Sequence, residues 1–142
     1  MILLDAYCLI ALARDELAAA EVEALLREAD AAVTAVNLFE VIDFLLRRSG
    51  WPAEAVWAGL SLLLGEAVAV LPVDERAAWR GASLRARYYE KGRCEVSLAD
   101  CVLLATARDE DSVATSDPSI SSVGRVEGIG VVSLPDTRGR RP

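Results

Sequence analysis

The chain of 142 residues contains no histidine and one lysine, Lys91, and each shortage removes a class of chemistry. Without histidine there is no imidazole base and no partner to complete a mixed zinc site. The three cysteines, Cys8, Cys94 and Cys101, are odd in number and lack CxxC spacing, which excludes a zinc ribbon and a disulfide framework. Cys8 and Cys101 sit in apolar runs and read as small buried hydrophobes in a reducing compartment. Glycine is also placed against phosphate cradling, because the one GxG, Gly128-Ile129-Gly130, lacks a third glycine and precedes a strand pattern rather than a helix. No basic segment with an apolar stretch opens the chain. The richest apolar run, LSLLLGEAVAVL, is broken by Ser61, Gly65 and Glu66, so a cytoplasmic protein without a membrane segment is expected.

What is present is apolar and acidic. At 54% apolar residues, the chain can bury a core without metal or disulfide staples, and one domain is the prior. The net charge of −7 argues against binding nucleic acid by bulk electrostatics. It is unevenly spread, with residues 1–75 carrying a net −9 and residues 76–142 a net +2. RNA binding therefore requires a local basic surface and bridging cations.

Short apolar runs alternate with helical periodicity. The pattern predicts strands at MILL, AAVTAV, AVAVLPV, SVATS and IGVVSL. Helices are predicted over 6–14, near 18–29, through NLFEVIDFLLRR, from Pro52 to about Leu64, from Asp74 to about Glu90, and over SLADCVLLATARDE. The order β-α-α-β-α-α-β-α-α-β-β reads as an α/β sandwich around a mostly parallel sheet. Residues 1–135 make the domain, and TRGRRP places a basic, frayed tail over 136–142.

Four acids fall at element junctions: Asp5 ends the first strand, Glu40 lies in the helix after the second, Asp100 opens the SLAD helix, and Asp117 follows the fourth strand. Each also has an ordinary reading as a helix start. Asp5 and Asp117 are possible N-caps, the latter with Pro118 at the first helical position, and Asn37-x-x-Glu40 and Ser97-x-x-Asp100 match the capping box. Asp74 is a control, since it too follows a strand and opens a helix with only a cap to explain it. Yet serine, threonine and asparagine cap about as well, so capping does not require four acids at one sheet edge. Gathered there they would repel unless a cation shared them, and carboxylates without histidine or cysteine suit Mg²⁺ or Mn²⁺.

The motifs LLDAYCLIAL, VNLFEVIDFL, SLADCVLLATA and TSD, in that order from Met1 to about Pro135, resemble the PIN-domain family, and at this length its VapC-type toxin ribonucleases. The resemblance implies a three-layer α/β sandwich with a central sheet flanked by helices, and metal-dependent endoribonuclease activity. It makes Asp5, Glu40, Asp100 and Asp117 the acidic metal-site residues, holding one or two Mg²⁺ or Mn²⁺ ions that activate water for in-line displacement at a phosphodiester. It also implies an RNA substrate, a cognate antitoxin that neutralises the enzyme, and a homodimer. Two departures stand out: Ala6 replaces the serine or threonine often found after the first Asp, and Pro118-Ser119-Ile120 replaces the polar residue and aromatic that usually follow the last.

Other residues are tied to the site less directly. Asp43 shares a helix face with Glu40 and reads either as a support behind the metal-holding acids or as a solvent-exposed residue, and Ser97 is first a cap of the helix of Asp100 and second a hydrogen-bond partner of the site. Arg76, Arg80, Arg87 and Lys91 fall within about 60° on the helix from Asp74 and form a candidate phosphate track or an ordinary solvated face. Arg85 falls in the apolar arc of that helix, where it must snorkel or meet a buried acid. The apolar helices of the first half carry a surplus suited to a homodimer or antitoxin surface. Two rivals fit poorly. A haloacid-dehalogenase-type phosphatase needs Asp where Tyr7 stands, and a phosphoacceptor receiver needs a lysine after a late strand, whereas Lys91 lies in a predicted helix. The alternative kept open is a PIN-fold module that binds RNA or protein with little or no catalysis.

Overall fold

A computed structural model describes residues 1–142. Five short parallel strands, β1 (Ile2–Leu4), β2 (Ala31–Thr34), β3 (Val68–Leu71), β4 (Ser112–Thr115) and β5 (Gly130–Ser133), form one sheet in the order β3-β2-β1-β4-β5. Seven α-helices connect and cover it: α1 (Ala6–Arg14), α2 (Ala19–Glu28), α3 (Ala35–Asp43), α4 (Ala53–Leu63), α5 (Glu75–Tyr88), α6 (Leu98–Thr106) and α7 (Pro118–Val126). A π-helical turn, Phe44–Arg48, extends α3. The α/β sandwich expected from the sequence is thus the architecture found, with a sheet that is wholly parallel. No helix is long and apolar enough to cross a membrane.

Strand alternation divides the core between the two faces of the sheet. Leu4, Val33 and Ala114 point to a cluster completed by Leu9, Ile10, Val41, Val56 and Leu60 from α1, α3 and α4. Leu3, Ala32 and Val113 point to the other, completed by Leu84, Leu103, Leu104, Ile120 and Val123 from α5, α6 and α7. Central strands buried on both faces read as continuous apolar runs, which is why MILL and AAVT carry no polar alternation.

Helix α7 corrects the expected β-β ending. Pro118 at its first turn and Asp117 at its cap start a nine-residue helix whose serines and glycine gave little helical signal. Its buried face, Ile120, Ser121, Val123 and Gly124, packs it onto the sheet. Helix α5 stops two residues before the expected Glu90, and Lys91 lies in the turn bridging Glu90 and Cys94. In residues 136–142, Asp136 accepts from the backbone N–H groups of Arg138 and Arg140, and Arg141 pairs with Glu21 of α2 at 2.6 Å.

The α5–α6 contact sets where Asp100 stands. Gly81 lets the two backbones approach, since a Cβ there would lie 3.2 Å from the carbonyl oxygen of Cys101. Gly81→Val should therefore force the helices apart and cost about 1–3 kcal/mol of stability, read from urea midpoints. An unchanged midpoint would mean that this close approach is not part of the folded state.

Candidate metal centre

The cap reading fails at Asp5. Its backbone occupies the N-cap position of α1, but its side chain caps nothing. The residue is only 7% exposed, and its carboxylate instead accepts from the Thr115 hydroxyl through Oδ2 at 2.9 Å. That hydroxyl in turn accepts from the backbone N–H of Asp117 at 2.9 Å, so one threonine ties the ends of β1 and β4 together. Thr115 lies inside the TSD motif, where nothing in the local sequence marks it as a partner of Asp5. Its full burial beside two acids is visible only once β1 and β4 are adjacent.

The other acids combine capping with proximity. Ser97 and Asp100 form a complete capping box: Ser97 N–H donates to Oδ2 of Asp100 at 2.6 Å and Asp100 N–H to the Ser97 hydroxyl at 3.1 Å. Asp117 caps α7 through Oδ1 alone, accepting from Ser119 and Ile120 at 2.6 and 3.1 Å. Each cap engages one oxygen, leaving Oδ1 of Asp100 and Oδ2 of Asp117 without a hydrogen bond. The control holds, as Asp74 caps α5 through Ala77 N–H at 2.7 Å. The box expected at Asn37 and Glu40 is not formed. Thr34 is the cap of α3, and Asn37, one turn in and fully buried, donates from its side-chain amide to Oε2 of Glu40 at 3.4 Å.

Electrostatics shows which acids share a field. Burial, and then the charge of Asp100, push Asp5 from an ordinary 3.8 up to about 7; the Thr115 hydrogen bond and the Ala6 N–H oppose this and Asp117 adds to it. Glu40 is raised by burial and then by Asp100, against the pull of Asn37. Asp100 is raised by burial, held down by the Ser97 hydrogen bonds, pushed up again by Asp117 and lowered by Arg85. All four predicted acids are therefore linked through Asp100. They do not close into a ready-made cage, since no three acidic or cysteine side chains stand within metal-holding distance of a common point. Donor chemistry and charge nonetheless fit a hard divalent cation: oxygens only, two of them without hydrogen bonds, in a field that a cation would reverse.

The supporting residues divide. Ser97 holds Asp100. Asp43 turns away to Arg47, with which it makes two bonds of 2.9 and 2.7 Å, and is not brought to the acids. The basic stripe also disperses. Arg80 is used on the carbonyls of Ala105 and Ala107 at the end of α6, at 3.1 and 2.7 Å. Arg87 pairs with Glu127 at 2.7 Å, an oxygen that also accepts from the Tyr88 hydroxyl. Arg76 and Lys91 make no ion pair. Arg85, the misfit of the apolar arc, is the basic residue whose charge reaches Asp100. Cys8 is inert structure, its thiol buried, pushed well up by burial, and donating to the Ala114 carbonyl at 3.3 Å.

A parallel three-layer α/β fold with an acidic cluster at the ends of its central strands is the class these features define. The sequence matches the PIN domain family over residues 2–126, and the chain belongs to that family. No curated protein matches it. Among solved structures it is similar to Mycobacterium tuberculosis VapC20, a sarcin-ricin loop cleaving toxin, at 20% identity and a TM-score of 0.68, covering 87% of this chain and 95% of that one. It is also similar to FitAcB from Neisseria gonorrhoeae, at 23% identity and TM-score 0.64 over 92% and 96% of the two chains. A third likeness is to VapBC2 from Rickettsia felis bound to a DNA fragment from their promoter, at 14% identity and TM-score 0.66 over 94% and 99%. At these identities the likeness is one of fold.

The raised acids carry a pH signature. In metal-free protein the native state keeps the Asp5 proton between about pH 4 and 7 while the unfolded chain has lost it. Stability should then fall as pH rises through that window and level off above it, by about 1.4 kcal/mol per unit of difference at most. Asp5→Asn should flatten this fall, with a residual slope from Glu40 and Asp100. Urea midpoints in chelator from pH 4 to about 8 check this. Superimposable profiles for the two proteins would remove Asp5 from the account.

Proposed function

We propose that the protein is a metal-dependent endoribonuclease and the toxin of a type II toxin–antitoxin pair, hydrolysing RNA phosphodiester bonds at its clustered carboxylates. The observation that carries the reading is Asp5, a buried acid that caps nothing and faces other acids instead of a countercharge. Membership of the PIN family supports the nuclease part, and the names of similar structures, VapC20 as a sarcin-ricin loop cleaving toxin and a toxin-antitoxin complex from Klebsiella pneumoniae, support the toxin part.

Asp5 and Asp100, with Glu40 and Asp117, would hold Mg²⁺ or Mn²⁺. When bound, such an ion would supply an activated water and neutralise charge building at the phosphate, which would remove the need for the missing histidine. The remaining work falls to the chain. Thr115 fixes one oxygen of Asp5, so that the other is directed. The Ser97 cap does the same for Asp100, and the Asn37 amide steadies Glu40. Losing the proton of Asp5 is the charge step that the binding of a cation would drive.

RNA contact in this reading falls to Lys91, because Arg80 and Arg87 are already engaged and Arg76 lies with Met1 and Asp111 toward the sheet edge away from the acids. An apolar hollow of about 390 Å³ between α1, α2 and α4, lined by Leu9, Leu12, Leu26, Trp51, Leu60 and Leu63, supports an antitoxin as partner. A homodimer acting in the cytoplasm completes the proposal.

Incubation of unstructured RNA with the pure protein tests it. Cleavage should stop in EDTA, return with Mn²⁺ or Mg²⁺, and fall about 100-fold or more in Asp5→Asn. Asp74→Asn, which alters an acid of the same capping type outside the cluster, should cut at the wild-type rate. Undiminished cleavage in chelator would contradict the metal-dependent reading, and no cleavage under any condition would favour a binding module.

A further inference from the structure

We infer that Arg85 is a positioning residue for Asp100, acting through the single peptide group that joins Val96 to Ser97. The carbonyl of that peptide accepts from Nη1 of Arg85. Its N–H, on Ser97, donates to Oδ2 of Asp100 at 2.6 Å. A peptide whose oxygen is bound to a cation is the better N–H donor, because hydrogen bonds in series polarise one another. The guanidinium is oriented on its other side by the Tyr89 ring, 4.3 Å below its central carbon. Val96 is buried, so without Arg85 its carbonyl would lose its partner where water is scarce.

The route matters as much as the contact. Arg85 makes no ion pair with Asp100, although its charge lowers that acid. A direct pair would occupy the carboxylate oxygens and compete with a cation. Acting through the peptide, Arg85 fixes Oδ2 and leaves Oδ1 without a hydrogen bond. It also explains why a cation sits in the apolar arc of α5: the C-terminal part of that helix is the one that reaches the start of α6, as Arg80, a turn and more earlier, reaches its end.

The catalytic consequence rests on the nuclease reading; the relay itself does not. Arg85→Met should speed exchange of the Ser97 amide, followed by ¹⁵N NMR in metal-free protein, by about tenfold or more. In the RNA assay the same variant should lose about tenfold in kcat with KM held within about twofold, since Arg85 orients an acid and touches no substrate. If Arg85→Met does not fold, Arg85→Gln, which keeps a neutral donor for Val96, should give intermediate values for both. A folded variant with wild-type Ser97 exchange would overturn the relay, as would a rise in KM alone, which would make Arg85 a phosphate contact. Should the wild type neither bind Mn²⁺ nor cut RNA, the nuclease reading falls, and the Ser97 comparison still decides for or against the relay.

Discussion

A carboxyl group buried at the end of the central strand without a countercharge is the constraint around which the rest of this molecule is arranged. Strand β1 lies in the middle of the sheet, and the chain turns into α1 at once, so Asp5 has little access to water. Desolvation of this kind is expensive for a charged group, and the structure answers it with neutral donors, the Thr115 hydroxyl and the Ala6 N–H, rather than with a lysine or arginine. Neighbouring acids make the position worse. A fold that only needed to start a helix would place serine or asparagine here at no such cost.

The neighbours follow from the same geometry. Parallel strands deliver the residues that follow β1 and β4 to one edge, and helices that begin at that edge carry Glu40 and Asp100 to it. The caps of α6 and α7 then do two things at once. They satisfy helix N–H groups with one carboxylate oxygen and leave the other free. Capping and metal binding, posed as rivals by the sequence, are compatible at Asp100 and Asp117, and only Asp5 separates them. This strained acidic edge is what the proposed cation would relieve, and Arg85 is placed to steady it without filling it.

Much of this was legible in the residues. The strand ends, the capping motifs at Ser97 and Asp117, and the role of Asp74 are local, and local pattern displays them. Arg85 announced itself as a charge in an apolar arc. What sequence could not display depends on distant partners. Arg80 and Arg87 look like a surface stripe until carbonyls 25 and 27 residues on and a glutamate 40 residues on are seen to hold them. The Thr115 bridge spans 110 residues, and α7 is built from serines and a glycine whose helical state comes from burial rather than propensity. Asn37 looked like a cap because its type favours caps, yet the threonine three residues earlier took that place and freed its amide for Glu40.

If Asp5 and its neighbours share a cation, the native state must be stabilised by that ion through Asp5. Thermal unfolding of wild type and Asp5→Asn, each in EDTA and in millimolar Mn²⁺, tests it most directly, because a ligand of the native state alone must raise its stability with concentration. Wild type should melt higher in Mn²⁺ than in EDTA. At about pH 8, where Asp5 is ionised in the metal-free protein, Asp5→Asn is relieved of a buried charge and should equal or exceed wild type in EDTA and gain nothing from the metal. Coincident wild-type curves in the two conditions, or a variant that still responds to Mn²⁺ as wild type does, would contradict the account.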